Sequence, residues 1–167
     1  MSNEYKDWLE DLKNAPIGSE DHDRWIFITY PWMNTPGLYP EEKEYNFLND
    51  VPEGWVKAFG QEWLDEIQSV YEKMNDDEKK MFKVLQLKEK FGIFTQYFSF
   101  TNDEISDIIE KYEEKSTKTC RHCGEPAYFI STGWISPWCV DCAFKIGGYF
   151  NVIGRNQKIF IEKLGEN

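Results

Sequence analysis

Apolar side chains recur along this chain with periods that separate helices from strands. Tyr5, Trp8, Leu9 and Leu12 fall at i, i+3, i+4 and i+7, one face of a short amphipathic helix that Asn14-Ala15-Pro16-Ile17-Gly18 ends. Trp25-Ile26-Phe27-Ile28-Thr29-Tyr30 is apolar at almost every position and rich in β-formers, which predicts a buried strand. Pro31 to Pro40 holds three prolines and a glycine and reads as loop, and Tyr45 to Val51 fits no single period. A helical stretch opens at Gly54-Trp55 and runs to about Met74 with a break at Gly60, placing Trp63, Ile67, Val70 and Met74 on one face. Asn75 or Asp76 is a fitting cap for a following helix over about 77–90, with Met81, Val84 and Leu85 turned inward. Phe91 to Phe100 is aromatic and β-branched and predicts a strand. Thr101 with Glu104 has the spacing of a capping box, and the helix behind it puts Ile105, Ile108, Ile109 and Tyr112 on one stripe before Glu113-Glu114-Lys115-Ser116.

Composition narrows the class. The chain has 167 residues, of which 17% are aromatic, too many for a disordered polymer. Mean hydropathy is −0.64, and no apolar run approaches the ~20 residues of a membrane span. The first residues also lack the basic-then-apolar pattern of a signal peptide. These features lead us to expect a cytoplasmic protein without membrane association. The net charge of −11 is uneven: residues 1–83 carry 19 acidic and 9 basic side chains, whereas residues 120–167 carry 4 and 5. An acidic N-terminal half repels phosphate backbones and favours basic partner surfaces, although an acidic excess also serves solubility alone.

All four cysteines lie in one short window, Cys120-Arg121-His122-Cys123 and Cys139-Val140-Asp141-Cys142, spaced C-x2-C-x15-C-x2-C. Two thiolates separated by a two-residue turn converge on one ion, and two such pairs complete a tetrahedron with Zn–S of about 2.3 Å. Cys120, Cys123, Cys139 and Cys142 are therefore the expected ligands of one structural zinc ion. Disulfides suit a reducing compartment poorly, and a redox C-x-x-C explains only half of the pattern. Gly124 fits a tight knuckle. Ala127–Ile130 and Trp134–Ser136 can form a hairpin around Thr132-Gly133, giving a zinc ribbon, or a treble clef if Ala143–Ile146 is helical. His122 could replace a ligand but reads better as an exposed knuckle residue. The resulting expectation is an α+β fold: an acidic domain over 1–116, helices on a small sheet, with a zinc module over 117–167 packed on it.

Enzyme chemistry finds little support. Four thiolates leave the metal no open position for water. His22 and His122, the only histidines, lie in no nucleophile or HExxH context, and phosphate-binding glycine motifs are missing. Asp21-His22-Asp23 reads as a solvated loop, and Asp76-Asp77-Glu78 as carboxylates favoured at a helix N-terminus. Arg121, Lys145, Arg155, Lys158 and Lys163, with Trp134, Trp138, Tyr149 and Phe150, permit a nucleic-acid contact, yet the balance falls short of a basic patch. Core packing is the better account of those aromatics. Trp32 and Tyr39 in the proline-rich segment are natural interaction hot spots if exposed.

Taken together, Gly54-Trp55, Leu87-Lys88-Glu89-Lys90-Phe91-Gly92, Cys120-Arg121-His122-Cys123-Gly124, Gly133-Trp134 and Cys139-Val140-Asp141-Cys142 resemble a family of small phage and prophage proteins. Its members carry a KEKFG step and a CxxCG…GW…CxxC or CxxH module; here the last ligand is Cys142, where many relatives have histidine. The resemblance covers about residues 54–142 and implies a phage protein acting in the bacterial host cytoplasm. The chain is also similar to zinc-stabilised anti-CRISPR proteins. That likeness implies a non-enzymatic inhibitor that binds a host protein, a type II single-effector CRISPR nuclease. The alternative is a zinc-ribbon regulator that binds nucleic acid or the transcription machinery.

Overall fold

The computed structural model describes residues 2–33 and 50–165, and shows an α+β protein with two small antiparallel sheets. Helix α1 (Asn3–Lys13) is capped by the Ser2 hydroxyl, which accepts from the Tyr5 amide. Helix α2 (Glu20–Thr29) packs against it, so the predicted strand at Trp25–Tyr30 is a helix, and Asp21-His22-Asp23 is its first turn rather than a loop. Two local features account for the difference. Ser19 caps the His22 amide, with Glu20, Asp21 and Asp23 at the positive end of the dipole. The buried positions are His22, Trp25 and Ile26, a helical stripe that is hidden when the histidine is read as polar.

A 3-10 turn at Pro31–Met33 follows; the rest of the proline-rich segment, Tyr39 included, and most of Tyr45–Val51 lie outside the described residues. Trp32 is no surface hot spot. It is 1% exposed, and its indole N–H donates to Gln68 Oε1 at 2.8 Å. A helical turn at Glu53–Trp55 and a π-helical turn at Val56–Gly60 lead into α3 (Gln61–Glu72), so the chain stays helical through Gly60 instead of breaking there. Trp63, Ile67, Val70 and, just beyond the helix, Met74 are buried as anticipated.

Helix α4 (Asp76–Met81) opens with an Asn75–Glu78 capping box but does not continue to residue 90. Ser99 ends it: its hydroxyl accepts from the Lys83 amide and donates to the Met81 carbonyl, and its amide reaches the Lys83 carbonyl. The chain then extends as β1 (Val84–Lys90), paired antiparallel with β2 (Ile93–Phe98). Met81 and Leu85, expected inside, face outward, and Leu87 takes the core position. Helix α5 (Asp103–Thr117) lies on this hairpin with its cap at Asn102, one residue after the predicted Thr101. Ile105 and Tyr112 are buried, and Ile108 and Ile109 pack against the core.

This first core is largely aromatic. Trp32 meets Trp63 at 5.6 Å between ring centroids, and Phe82 meets Phe98 at 5.1 Å, edge to face in both cases. The buried Trp63 N–H finds Gln96 Oε1 at 2.6 Å. The C-terminal region contains β3 (Phe129–Ser131), β4 (Pro137–Trp138), α6 (Val140–Ile146), β5 (Gly148–Val152) and β6 (Lys158–Ile161). Its strands form one sheet in the order β4-β3-β5-β6, and a second core gathers Phe129, Ala143, Phe150, Val152 and Ile161. Among the described residues, no helix is long and apolar enough to cross a membrane.

The β1–β2 turn holds Phe91 and Gly92 at φ of 51° and 78°, a two-residue turn that needs left-handed backbone at both positions. Phenylalanine is a costly occupant there, by about 1 kcal/mol, because its Cβ crowds the backbone. F91N is therefore expected to raise stability by about 1 kcal/mol, seen as a later urea midpoint at unchanged slope.

Candidate metal centre

Cys120 and Cys123 flank a knuckle that Gly124, at φ 85°, turns back on itself. The Cys120 amide donates to the Glu125 carbonyl at 2.7 Å, and the Gly124 amide to the Cys120 carbonyl at 3.1 Å. A hairpin around Thr132-Gly133 is present, but its second strand is Pro137–Trp138 rather than the expected Trp134–Ser136, pairing Phe129 with Trp138 and Ile130 with Pro137. It returns the chain to Cys139, which caps α6; the Cys139 sulfur accepts from the Cys142 amide at 3.4 Å. Knuckle, hairpin and a helix that begins at the second cysteine pair make the treble-clef arrangement of the two envisaged.

The sulfurs of Cys120, Cys123, Cys139 and Cys142 all lie within 4.8 Å of one another, and none is joined in a disulfide. Cys123 and Cys139 approach to 3.5 Å. A metal–sulfur bond of about 2.3 Å in a tetrahedron sets sulfurs about 3.8 Å apart, so the spacing suits one ion. Cys120, Cys139 and Cys142 are buried and Cys123 is half-buried, whereas His122, between two ligands, is exposed and outside the cluster.

The electrostatics of the metal-free thiols point the same way. Burial, reinforced by sulfur neighbours, pushes the Cys142 thiol far up and the Cys139 thiol up as well. Burial opposes ionisation of Cys120 too, but backbone amides around its sulfur, from Cys123, Cys139 and His122, more than offset this and lower it. One sulfur is thus prepared as an anion while two resist ionising beside it. A divalent cation relieves that conflict.

The knuckle is anchored on the helical body by the Gly-Trp turn. The Gly54 amide donates to the Arg121 carbonyl at 2.8 Å, and the Trp55 indole to the Thr119 carbonyl at 2.9 Å. Glu89 of β1 makes the other tie. Its carboxylate accepts from Ser136 Oγ at 2.8 Å, Trp134 Nε1 at 2.7 Å and Arg121 Nε at 3.4 Å, with only 7% of its side chain exposed. Arg121 also lies over the Trp138 ring at 5.7 Å. Neither Glu89 nor Ser136 stood out in the sequence. A carboxylate one place from the strand end, between two lysines, carries no signal of burial.

The residues considered for nucleic acid are dispersed. Phe150 is in the second core, Trp138 is half-buried against the cysteines, Tyr149 and Trp134 are exposed, and Arg121 is engaged by Glu89.

Metal removal is expected to destabilise the protein in a pH-dependent way. Free unfolded thiols ionise near about 8.5. In the folded metal-free state burial holds Cys139 and Cys142 protonated above that, which costs stability as pH rises through this range, while the lowered Cys120 thiol works in the opposite direction. In the metal-loaded protein all four sulfurs hold the ion as thiolates while the unfolded chain's thiols take up protons, so thermal midpoints should rise between pH 7 and about 8.5 with zinc and show no such rise after chelator treatment. Gly54→Ala is the steric counterpart. A Cβ there would sit 2.2 Å from the Cys120 carbonyl oxygen, a backbone atom, so a loss of about 3 kcal/mol and weakened metal retention are expected in denaturant titration and metal competition.

No family model, curated protein or solved structure matches this chain, so the site is read from its own residues.

Proposed function

We propose that this is a zinc-stabilised inhibitor that acts by binding a basic surface of a host defence nuclease, of the type II single-effector CRISPR class, and that it is not an enzyme. The observation that carries the reading is the sorting of charge on α5. Lys111 and Lys115 turn toward α3, pairing with Glu66 at 2.6 Å and Glu62 at 3.1 Å. Asp103, Asp107, Glu110 and Glu114, at i, i+4, i+7 and i+11, form an exposed acidic stripe opposite the buried one. Only Glu114 of the four makes an ion pair among the described residues, with Lys118. Lys111 and Lys115 are thus paired at the surface with carboxylates of α3, while the acidic stripe of α5 faces out, on a chain of net charge −11.

Nucleases of this class hold their heteroduplex in positively charged channels, which an acidic rod of this kind complements. In this reading zinc maintains the fold, supplies no chemistry and sits away from the partner. The family resemblance of residues 54–142 supports a phage origin and the bacterial host cytoplasm as the place of action.

The purified zinc-loaded chain is expected to co-elute with such a nuclease and inhibit its cleavage, with binding that weakens as salt rises. D107N/E110Q/E114Q should retain its helix content and bind about tenfold more weakly, since each rim charge contributes a few tenths of a kcal/mol. Labelled single- or double-stranded DNA should show no comparable affinity. Tight DNA binding with no effect on the nuclease would replace this reading with the nucleic-acid regulator.

A further inference from the structure

The β4-β3-β5-β6 sheet treats its two edges differently. At β4 the edge is taken: the Pro137 carbonyl accepts the Arg121 amide at 3.0 Å, and proline has no amide to offer. At β6 the edge is bare. Among the described residues, no backbone hydrogen bond outside the sheet reaches residues 158–162. The phase of this strand follows from its first rung. The Val152 amide donates to the Gln157 carbonyl at 3.0 Å, and in an antiparallel ladder hydrogen-bonded rungs alternate with open ones. Phe150 stands opposite Ile159 and Gly148 opposite Ile161, so the two isoleucines turn their backbone groups to β5. Lys158, Phe160 and, one step further, Glu162 turn theirs outward.

The side chains of these three residues share one face and are exposed. Phe160 is 63% exposed and meets Tyr149, itself 57% exposed, at 5.1 Å between ring centroids. Lys158 Nζ lies 5.2 Å over the Tyr149 ring. Neither Lys158 nor Glu162 makes an ion pair among the described residues. The order Lys158-Ile159-Phe160-Ile161-Glu162 is complementary to its own reverse. Setting Phe160 against Phe160 of a second copy places Lys158 against Glu162 at both ends, with isoleucine against isoleucine between. Centring on Lys158 or on Glu162 puts like charges together, and centring on either isoleucine leaves a charge facing Phe160. We propose that β6 is a self-association edge, through which two copies pair antiparallel about a two-fold axis at Phe160. The outward amides and carbonyls of Lys158, Phe160 and Glu162 are then satisfied, and the two phenylalanines cover each other across the axis. A foreign strand has no reason to mirror this order of charges, whereas a second copy does so by symmetry. The region is also where two acidic chains repel least, because residues 120–167 carry 4 acidic and 5 basic side chains. The inference uses neither α5 nor a nuclease and is independent of the proposed function.

The test is sedimentation equilibrium of the zinc-loaded full chain over a series of concentrations in about 0.15 M salt. A short strand edge is a small interface, so the weight-average mass should double with a midpoint of about 100 μM. K158E and E162K change exposed side chains and should keep the thermal midpoint. Each should weaken association about tenfold, since both ends of the interface then carry like charges. The exchange variant K158E/E162K should recover to within about threefold of the natural chain. An equimolar mixture of K158E and E162K should recover as well, because glutamates on one copy then face lysines on the other. A chain that stays monomeric well above that midpoint would overturn the inference. So would single variants that associate as tightly as the natural chain, or an exchange variant and mixture that both fail to recover.

Discussion

The Gly54 turn and the cysteine knuckle meet backbone to backbone. The Gly54 turn is pressed so firmly on the cysteine knuckle that a methyl group at Gly54 would overlap the Cys120 carbonyl, and one at Gly124 would lie 2.7 Å from the Gly54 carbonyl. Two glycines facing each other let an amide of the helical body reach a carbonyl of the knuckle, and Trp55 adds its indole N–H beside it. The geometry of the knuckle is therefore set partly from outside the zinc module. The same contact positions the Trp55 ring, which is fully buried and packs against Phe59 and Phe94 of the first core. Metal loop and aromatic core share a residue at their junction.

The junction also bears on what a metal would contribute. The second core has five buried side chains, one of them an alanine, on a sheet whose β4 is two residues long. Apolar burial on this scale does not offset the conformational entropy of ordering nearly 50 residues. Four thiolates on one cation would make up for the missing core, because the binding free energy of such an ion is folding free energy. The opposing thiol shifts have the same origin: sulfurs brought together by the fold without a cation between them compete for water, amide donors and charge.

Much of this was legible in the sequence where a period or a spacing was long enough to read. The Trp63–Met74 face, the α5 stripe and the two cysteine pairs stand in the structure where the pattern puts them; α1 is the expected helix, but Tyr5 and Trp8 of its face are exposed and only Leu12 is buried, and the second strand of the hairpin is Pro137–Trp138 rather than Trp134–Ser136. The failures were local and chemical. In α2 a buried histidine completes the helical stripe, so counting only apolar letters turned a capped helix into a strand. In β1 the helix propensity of Lys79 through Lys90 was overridden by Ser99, a residue far along the chain that captures both ends of the helix terminus. β5 and β6 passed unassigned because glycines and short apolar runs carry little periodicity, and the Glu89 network was unreadable because burial of a carboxylate depends on what folds over it.

Charge and aromaticity are also arranged differently from what composition alone suggests. An excess of carboxylates could simply have been scattered for solubility. Instead, lysines of α5 are paired at the surface with carboxylates of α3 and its acids are turned out along one line, while the large aromatics are mostly sequestered in the first core. Several aromatics stay exposed, among them Tyr149, Phe160, Trp134 and Phe91, and of these Phe91 also sits in a left-handed turn that costs it conformationally. The cysteine module also carries the Trp134 hairpin to the side of the β1–β2 tip, where Gly92 lies against Ile135 and Ser136.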